Sequence, residues 1–254
     1  MTVTLVATAQ VAAAPATTPN PAATFGPGQK KAEFQSNAWW DAEFRNKVGT
    51  SMRREIELGT QFILTDQHIH QLLDTGPTIC GNLESFVFIH EDVSYDAKND
   101  AHGITDVGLV RLARACPNLT KFQLQASRHL TDAAVLAFYL FCPKLTFLEF
   151  THWAGRNKFT RAGVFDFLHS CLSLVPELDT LRLSPSDKAG LTMKKDDKAM
   201  RKMTRGRPGL VHTVVEVGEE KHWGNWDIVR REKSFKRGRI YEPPVEELPW
   251  SPRY

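Results

Sequence analysis

One short motif, written several times along the chain, limits the fold more than any other feature. Cys80-Gly-Asn-Leu83, Cys116-Pro-Asn-Leu119 and Cys142-Pro-Lys-Leu145 each lead into an apolar alternation. The alternations are Leu83-x-x-Phe86-x-Phe88, Leu119-x-x-Phe122-x-Leu124 and Leu145-x-x-Leu148-x-Phe150. A fourth copy, Leu178-x-x-Leu181-x-Leu183, follows Pro176, with Cys171 displaced upstream by an insertion. A degenerate fifth begins at Pro208 and Leu210 and runs through Val214 and Val215. Successive leading leucines stand 36, 26, 33 and 32 residues apart. A period of this length means one supersecondary unit made repeatedly, and such a unit cannot bury its apolar side without its neighbours.

The other half of the unit repeats as well. Leu64-Thr-Asp66, Ile104-Thr-Asp106, Leu130-Thr-Asp132 and Phe159-Thr-Arg161 each open a segment with apolar residues at helical spacing, such as Leu109, Leu112 and Ala115, or Val135, Phe138 and Phe141. Thr or Asp at a helix start can accept a hydrogen bond from the free N–H groups of the first turn. Glycine or proline just past the cysteine stops the helix. Each unit therefore reads as one strand and one helix, the strands forming a parallel inner sheet and the helices an outer layer. With period-2 alternation, Phe86, Phe88, Phe122, Leu124, Leu148, Phe150, Leu181 and Leu183 point into the core. The outward set is Ser85, Val87, Ile89, Lys121, Gln123, Gln125, Phe147, Glu149, Thr151, Thr180, Arg182 and Ser184.

The alternation of (Leu/Ile)-Thr-Asp, a Leu-rich helix, Cys-Pro-x-Leu and Leu-x-x-Leu-x-Leu resembles the cysteine-containing leucine-rich repeat of the ribonuclease-inhibitor-like fold, over roughly residues 61–217. The resemblance implies an α/β fold: a short right-handed solenoid of about five repeats. This repeat class is typical of F-box substrate receptors of cullin-RING ubiquitin ligases and of antagonist-of-mitotic-exit proteins, and so implies a protein-binding scaffold. No F-box is visible in residues 29–60, the only room before the repeats. A solenoid end must be capped, and Trp39, Trp40 and Phe44, spaced for one helix face, with a strand beginning at Ile56-x-Leu58, read as an N-terminal cap. The expected organisation is a disordered Ala/Pro/Thr-rich tail over 1–28, the cap over 29–60, the solenoid over 61–217 and a basic, Pro- and Trp-containing extension over 218–254.

With 42% hydrophobic and 24% charged residues, the chain is of ordinary globular composition, which argues against a collagenous, coiled-coil or mainly disordered protein. No run reaches the ~18 apolar residues of a membrane span, and the first 24 residues carry no Lys or Arg, unlike a signal peptide or presequence. A cytoplasmic or nuclear protein without a membrane association is expected. Four cysteines are too few for a disulfide scaffold and lack paired zinc spacings. Cys80, Cys116 and Cys142, one per unit, read as small buried hydrophobes with free thiols. His68 and His70 beside a helix start read as solvated surface, since positions two apart point to different helix faces. Residues 90–103 read as a mobile polar loop. Asp92, Asp96 and Asp100 lack EF-hand spacing and no bidentate Glu follows. No G-x-S-x-G, phosphate loop or G-x-G-x-x-G is present. The expectation is a non-enzyme without cofactor or metal.

Net charge is +3 but unevenly placed: residues 191–239 hold fourteen Lys or Arg against seven Asp or Glu. Lys194, Lys195, Lys198, Arg201, Lys202, Arg205 and Arg207 form one run, expected to decorate the last repeat's helix. Arg230, Arg231, Lys233, Lys236, Arg237 and Arg239 form a second, expected in a disordered segment or extended cap. Such runs are read as solvated faces, nuclear signals or nucleic-acid patches. The Pro-rich ending after Tyr241 reads as a docking peptide or strap.

The leading expectation is therefore a monomeric, non-enzymatic scaffold that binds a protein partner of unknown identity on the concave strand face. Phe147, flanked by Lys121, Glu149 and Arg182, is the candidate hot spot, because aromatic anchors dominate interface energies. Val87 and Ile89 complete an outward apolar patch. The alternatives are a substrate-receptor-like subunit working with ubiquitin-ligase components, and a nucleic-acid-associated protein using the basic third.

Overall fold

The computed structural model describes residues 31–49, 54–90, 99–152, 157–160, 162–184, 193–222 and 225–241. The chain runs β1 (Lys31–Ser36), α1 (Asn37–Phe44), β2 (Glu55–Gln61), β3 (Ile63–Thr65), α2 (Asp66–Leu73), α3 (Pro77–Asn82), β4 (Ser85–Phe88), β5 (Asp100–Gly103) and α4 (Asp106–Ala115). It continues through β6 (Lys121–Leu124), α5 (Asp132–Phe141), β7 (Phe147–Phe150), α6 (Phe167–Ser170), β8 (Thr180–Leu183), α7 (Met193–Gly206), β9 (Val211–His222), β10 (Asn225–Lys236) and β11 (Arg239–Tyr241). Two π-helical turns, Arg45–Gly49 and Ala162–Asp166, follow α1 and precede α6.

Each apolar alternation forms a four-residue strand, β4, β6, β7 and β8, and each lies beside the strand of the unit before it. The main sheet has nine strands in the order β1-β2-β4-β6-β7-β8-β9-β10-β11. It is parallel from β1 to β9 and antiparallel through β9, β10 and β11. The pairing keeps equivalent residues side by side. One core row runs Ala32, Ile56, Phe86, Phe122, Leu148, Leu181, His212 and Phe235, and ends at the exposed Ile240 of β11. Phe86 and Phe122 stack at 5.7 Å, and Phe122 packs on Phe138 of α5 at 4.2 Å. That contact welds sheet to helix by apolar burial and by the favoured geometry of aromatic pairs.

The helices start and stop where their residues require. Thr105 and Thr131 are N-caps whose hydroxyls accept from Gly108 N and Ala133 N. At the other end Cys116 N donates to Leu112 O and Cys142 N to Phe138 O; Pro117 and Pro143 then lack the N–H that another turn would use. The chain turns at once into the next strand, with Leu119 N donating to Cys116 O and Leu145 N to Cys142 O. The same bond is made by Leu178 N to Val175 O and by Leu210 N to Arg207 O. In the fourth unit the two roles of the cysteine are split, Cys171 N closing the helix on Phe167 O and Val175 O accepting from Leu178 N, whereas in the fifth Arg207 makes both bonds, its own N donating to Met203 O.

Several expectations need correction. Trp40 and Phe44 are buried and stack at 4.2 Å, but Trp39 is 49% exposed, because neighbouring helix positions cannot share one face. β1, unseen in the sequence, precedes this helix and pairs with β2. His68 is half-buried, not solvated: its Nδ1 accepts from Thr65 N at 3.2 Å in a capping box, and its ring meets Trp40 edge-on at 5.4 Å. Burial lowers its pKa against the opposing pull of Asp41 and Thr65. The close of the 90–103 loop is strand β5, paired with β3. Of the two readings of the second basic run, the disordered one does not hold: from Arg230 to Lys236 it lies in β10, in register with β9, and an Arg237–Gly238 turn with positive φ at both residues leads to β11. The expected N-terminal tail, residues 91–98 of the loop, Arg161, Trp223 and the Pro-rich ending after Tyr241 lie outside the described residues, as do the side chains of Lys194 and Lys195.

Candidate interaction surface on the open sheet face

Opposite the core rows, the same pairing builds two rows on the face turned away from the helices. The first runs Lys31, Glu55, Ser85, Lys121, Phe147, Thr180, Val211, Lys236 and Arg239. The second runs Glu33, Glu57, Val87, Gln123, Glu149, Arg182, Thr213, Ser234 and Tyr241. Neighbouring strands lie about 4.8 Å apart, so each row is a continuous band of side chains with one contribution per strand.

Of the twelve outward candidates, Ser85, Ile89, Lys121, Gln123, Phe147, Thr180 and Arg182 are half-buried, whereas Val87, Gln125, Glu149, Thr151 and Ser184 are buried. The outward apolar patch is correspondingly smaller than expected. Val87, flanked in its row by Glu57 and Gln123, keeps 4% of its surface. Phe147 keeps part of its ring accessible, and the Lys121 ammonium stands 5.4 Å from the ring centroid, within cation–π range.

Three of the buried members, Gln125, Glu149 and Thr151, form a polar network. Glu149 accepts hydrogen bonds from Gln125 Nε2 and Thr151 Oγ1, both at 3.0 Å, and Arg182 Nε lies 3.3 Å from its other oxygen. Arg182 also donates to Glu232 on β10 at 2.6 Å, and Arg230 reaches the same carboxylate at 2.7 Å. Burial pushes the Glu232 carboxyl up, but Arg230 and Arg182 outweigh it and hold it below its ordinary value. At the ends of the strands, Gln125 Oε1 accepts from His90 N, Asn99 Nδ2 donates to Ile89 O, and Ser184 Oγ accepts from His152 N. A charged side chain taken out of water needs partners of this kind. Glu149 and Arg182 therefore lock β6, β7, β8 and β10 together.

The basic third is also partly spoken for. Arg207 is buried, Lys233 pairs with Asp197 of α7 at 2.8 Å, and Arg230 pairs with Glu232. Nothing in the residue pattern of the run distinguished Arg207 from its exposed neighbours, except its place before Pro-Gly-Leu210, the position of cysteine in the other units. The cysteines are free; Cys80, Cys116 and Cys142 are buried and Cys171 is half-buried. Burial raises the Cys142 thiol to about 12.

A cluster of imidazoles gathers where the 99–103 segment meets the loop after β6. Burial lowers the pKa of His102, Asp100 raises it, and Arg128, His90 and His129 add to the lowering. A separate cleft of about 750 Å³ between α1 and α2 is lined by Trp40, Asp41, Phe44, Arg45, Gln71 and Asp74 among others. Among the described residues no group of three or more His, Cys, Asp or Glu side chains could hold a metal ion, and no helix is long and apolar enough to cross a membrane.

The chain is an α/β protein with a mainly parallel, mixed nine-stranded sheet and, among the described residues, seven helices. No protein-family model matches it, and no curated protein matches it at a significant level.

Proposed function

We propose that the repeated strand–helix units make a short right-handed leucine-rich-repeat solenoid of about five units. We further propose that the protein is a non-enzymatic scaffold whose open, concave sheet face binds another protein. The observation that carries this reading is Phe147. It is a half-buried aromatic ring near the middle of a row to which every strand of the sheet contributes one residue, with the Lys121 ammonium beside it. A large ring held by its neighbours but open on one side is what an interface anchor requires, since aromatic anchors carry a large share of binding energy at little entropy cost. The supporting network through Glu149 and Arg182 holds the strands under it in one geometry. Affinity purification with the full chain and with Phe147→Ala tests the reading. Loss of a recovered partner, in a variant whose circular dichroism and melting temperature match the parent, supports it. Recovery of the same partners at the same yield overturns Phe147 as the anchor.

A further inference from the structure

Resting on the reading of the open face as a protein-binding surface, we infer that the face selects a polypeptide segment of mixed charge. Such a segment is basic where it crosses β1 and β2 and acidic where it crosses β8 to β11. The sheet pairing sorts the charges of this face by strand. Over β1 and β2 stand Glu33, Glu55 and Glu57, with Lys31 bridging Glu33 at 2.8 Å and Glu57 at 2.6 Å. From β6 to β11 stand Lys121, Arg182, Arg230, Lys236 and Arg239, opposed by Glu149 and Glu232. Both of those carboxylates are already committed, Glu149 to Gln125, Thr151 and Arg182, and Glu232 to Arg182 and Arg230. Lys236 is half-buried and Arg239 exposed at the far end of the first row.

Among the described side chains, the face therefore carries excess negative charge over β1 and β2, three carboxylates against Lys31, and excess positive charge from β8 to β11, four cations against Glu232, with Phe147 between them. From β2 to β10 is six strand spacings, on the order of 30 Å, a span that an extended segment of about nine residues covers. Complementary charge at both edges fixes the direction in which such a segment lies and raises its encounter rate, while Phe147 supplies the apolar anchor. A nucleic acid fits less well, because its uniform negative charge would meet Glu33, Glu55 and Glu57 on crossing the sheet.

Fluorescence anisotropy with the full chain tests this using three labelled probes of equal length. The first is a peptide with lysines on one side of a central tryptophan and glutamates on the other. The second has lysine at every charged position, and the third is a single-stranded oligodeoxynucleotide. The mixed-charge peptide is expected to bind at least about tenfold more tightly than the all-lysine peptide. Lys236→Glu combined with Arg239→Glu should remove most of that preference. Arg239→Gln, a neutral change at an exposed position, should reduce it with the fold unperturbed by circular dichroism. Phe147→Ala should weaken both peptides and leave their ratio unchanged. If the ratio stands but Phe147→Ala has no effect, the charge order is upheld and Phe147 is removed as the anchor. Equal affinity for the two peptides, tightest binding of the oligonucleotide, or an unchanged preference in the double variant would overturn the inference. So would a dimer in sedimentation velocity that the double variant dissociates, since the occupant would then be a second copy of the chain.

Discussion

Asp106, the first residue of α4, accepts two hydrogen bonds from Thr131, the N-cap of α5: one from its backbone N at 2.9 Å and one from its hydroxyl at 2.7 Å. The relation repeats one unit earlier, from Thr105 to Asp66 at 2.9 and 2.6 Å, and one unit later, from Thr160 to Asp132 at 2.6 and 2.5 Å. The threonine thus caps its own helix while the aspartate ties that helix to the next. Gly108 lies against the Asp66 carboxylate, where an added Cβ would overlap it; Gly163 lies likewise against Asp132.

Removing one link exposes its worth. Asp106→Ala leaves the Thr131 N–H and hydroxyl without their acceptor and should lower stability by about 1–3 kcal/mol. Asp106→Asn keeps the shape but exchanges one acceptor oxygen for a donor, and should recover only part of the loss. Urea unfolding of both variants checks this, and a change below about 0.5 kcal/mol for Asp106→Ala, the size of an ordinary surface substitution, would show that the link contributes nothing.

Arg207 should be irreplaceable by another cation. Its guanidinium donates to five carbonyls, those of Leu168, Cys171, Leu172, Leu174 and Val175, at 2.7 to 3.3 Å. They belong to the end of α6 and the turn that follows it, where Cys171 O also accepts from Leu174 N and Val175 O from Leu178 N. A planar fork of five donors can reach them together, whereas an ammonium with three cannot. Arg207→Lys, and Arg207→Cys, which restores the residue of the other units, should each cost about 2–4 kcal/mol in chemical denaturation. Wild-type stability of either variant would rule the role out.

His212 makes stability depend on pH. It occupies a core position held by Leu181 and Leu148 in the units before it, fully buried between Phe165 and Phe235, with Nδ1 3.1 Å from Leu181 O and Nε2 unpartnered. Burial lowers its pKa to about 4, against the opposing effect of the Leu181 carbonyl. The unfolded chain, at the ordinary value near 6.5, binds the proton first. The neutral core is therefore intact above pH about 6.5, and stability falls by about 3 kcal/mol as the pH drops toward 4. His212→Leu should flatten that part of the pH–stability profile, and an unchanged slope between pH 6.5 and 4 would contradict the assignment.

Much of the fold was legible because the repeat writes local structure directly. Thr131, Phe138, Cys142 and Leu148 each sit where cap, helix face, helix stop and core strand require, all decisions made within a few residues of chain. The outward positions were legible for the same reason: Lys121, Phe147 and Thr180 alternate with core residues two by two. Their burial was not. Glu149 is 1% exposed because Gln125, Arg182 and Thr151 converge on it from this and neighbouring strands. No period in the sequence records how neighbours crowd. β1 was missed because one short Phe34-containing run carries no repeat signature, and β10 because its charges resembled a solvated tail.

By itself the sequence determined the unit, one strand and one helix, and which residues of each strand meet the core. These follow from hydrophobic spacing, capping residues and proline stops, which act over a single turn or strand. Only the tertiary structure decided that Asp66, Asp106 and Asp132 bind the next unit, that Arg207 stands at a cysteine position to gather the carbonyls of the turn after α6, and that Glu232 crosses β9 to meet Arg182. Each of these joins residues at least 25 positions apart, and such a contact exists only after the intervening units have stacked.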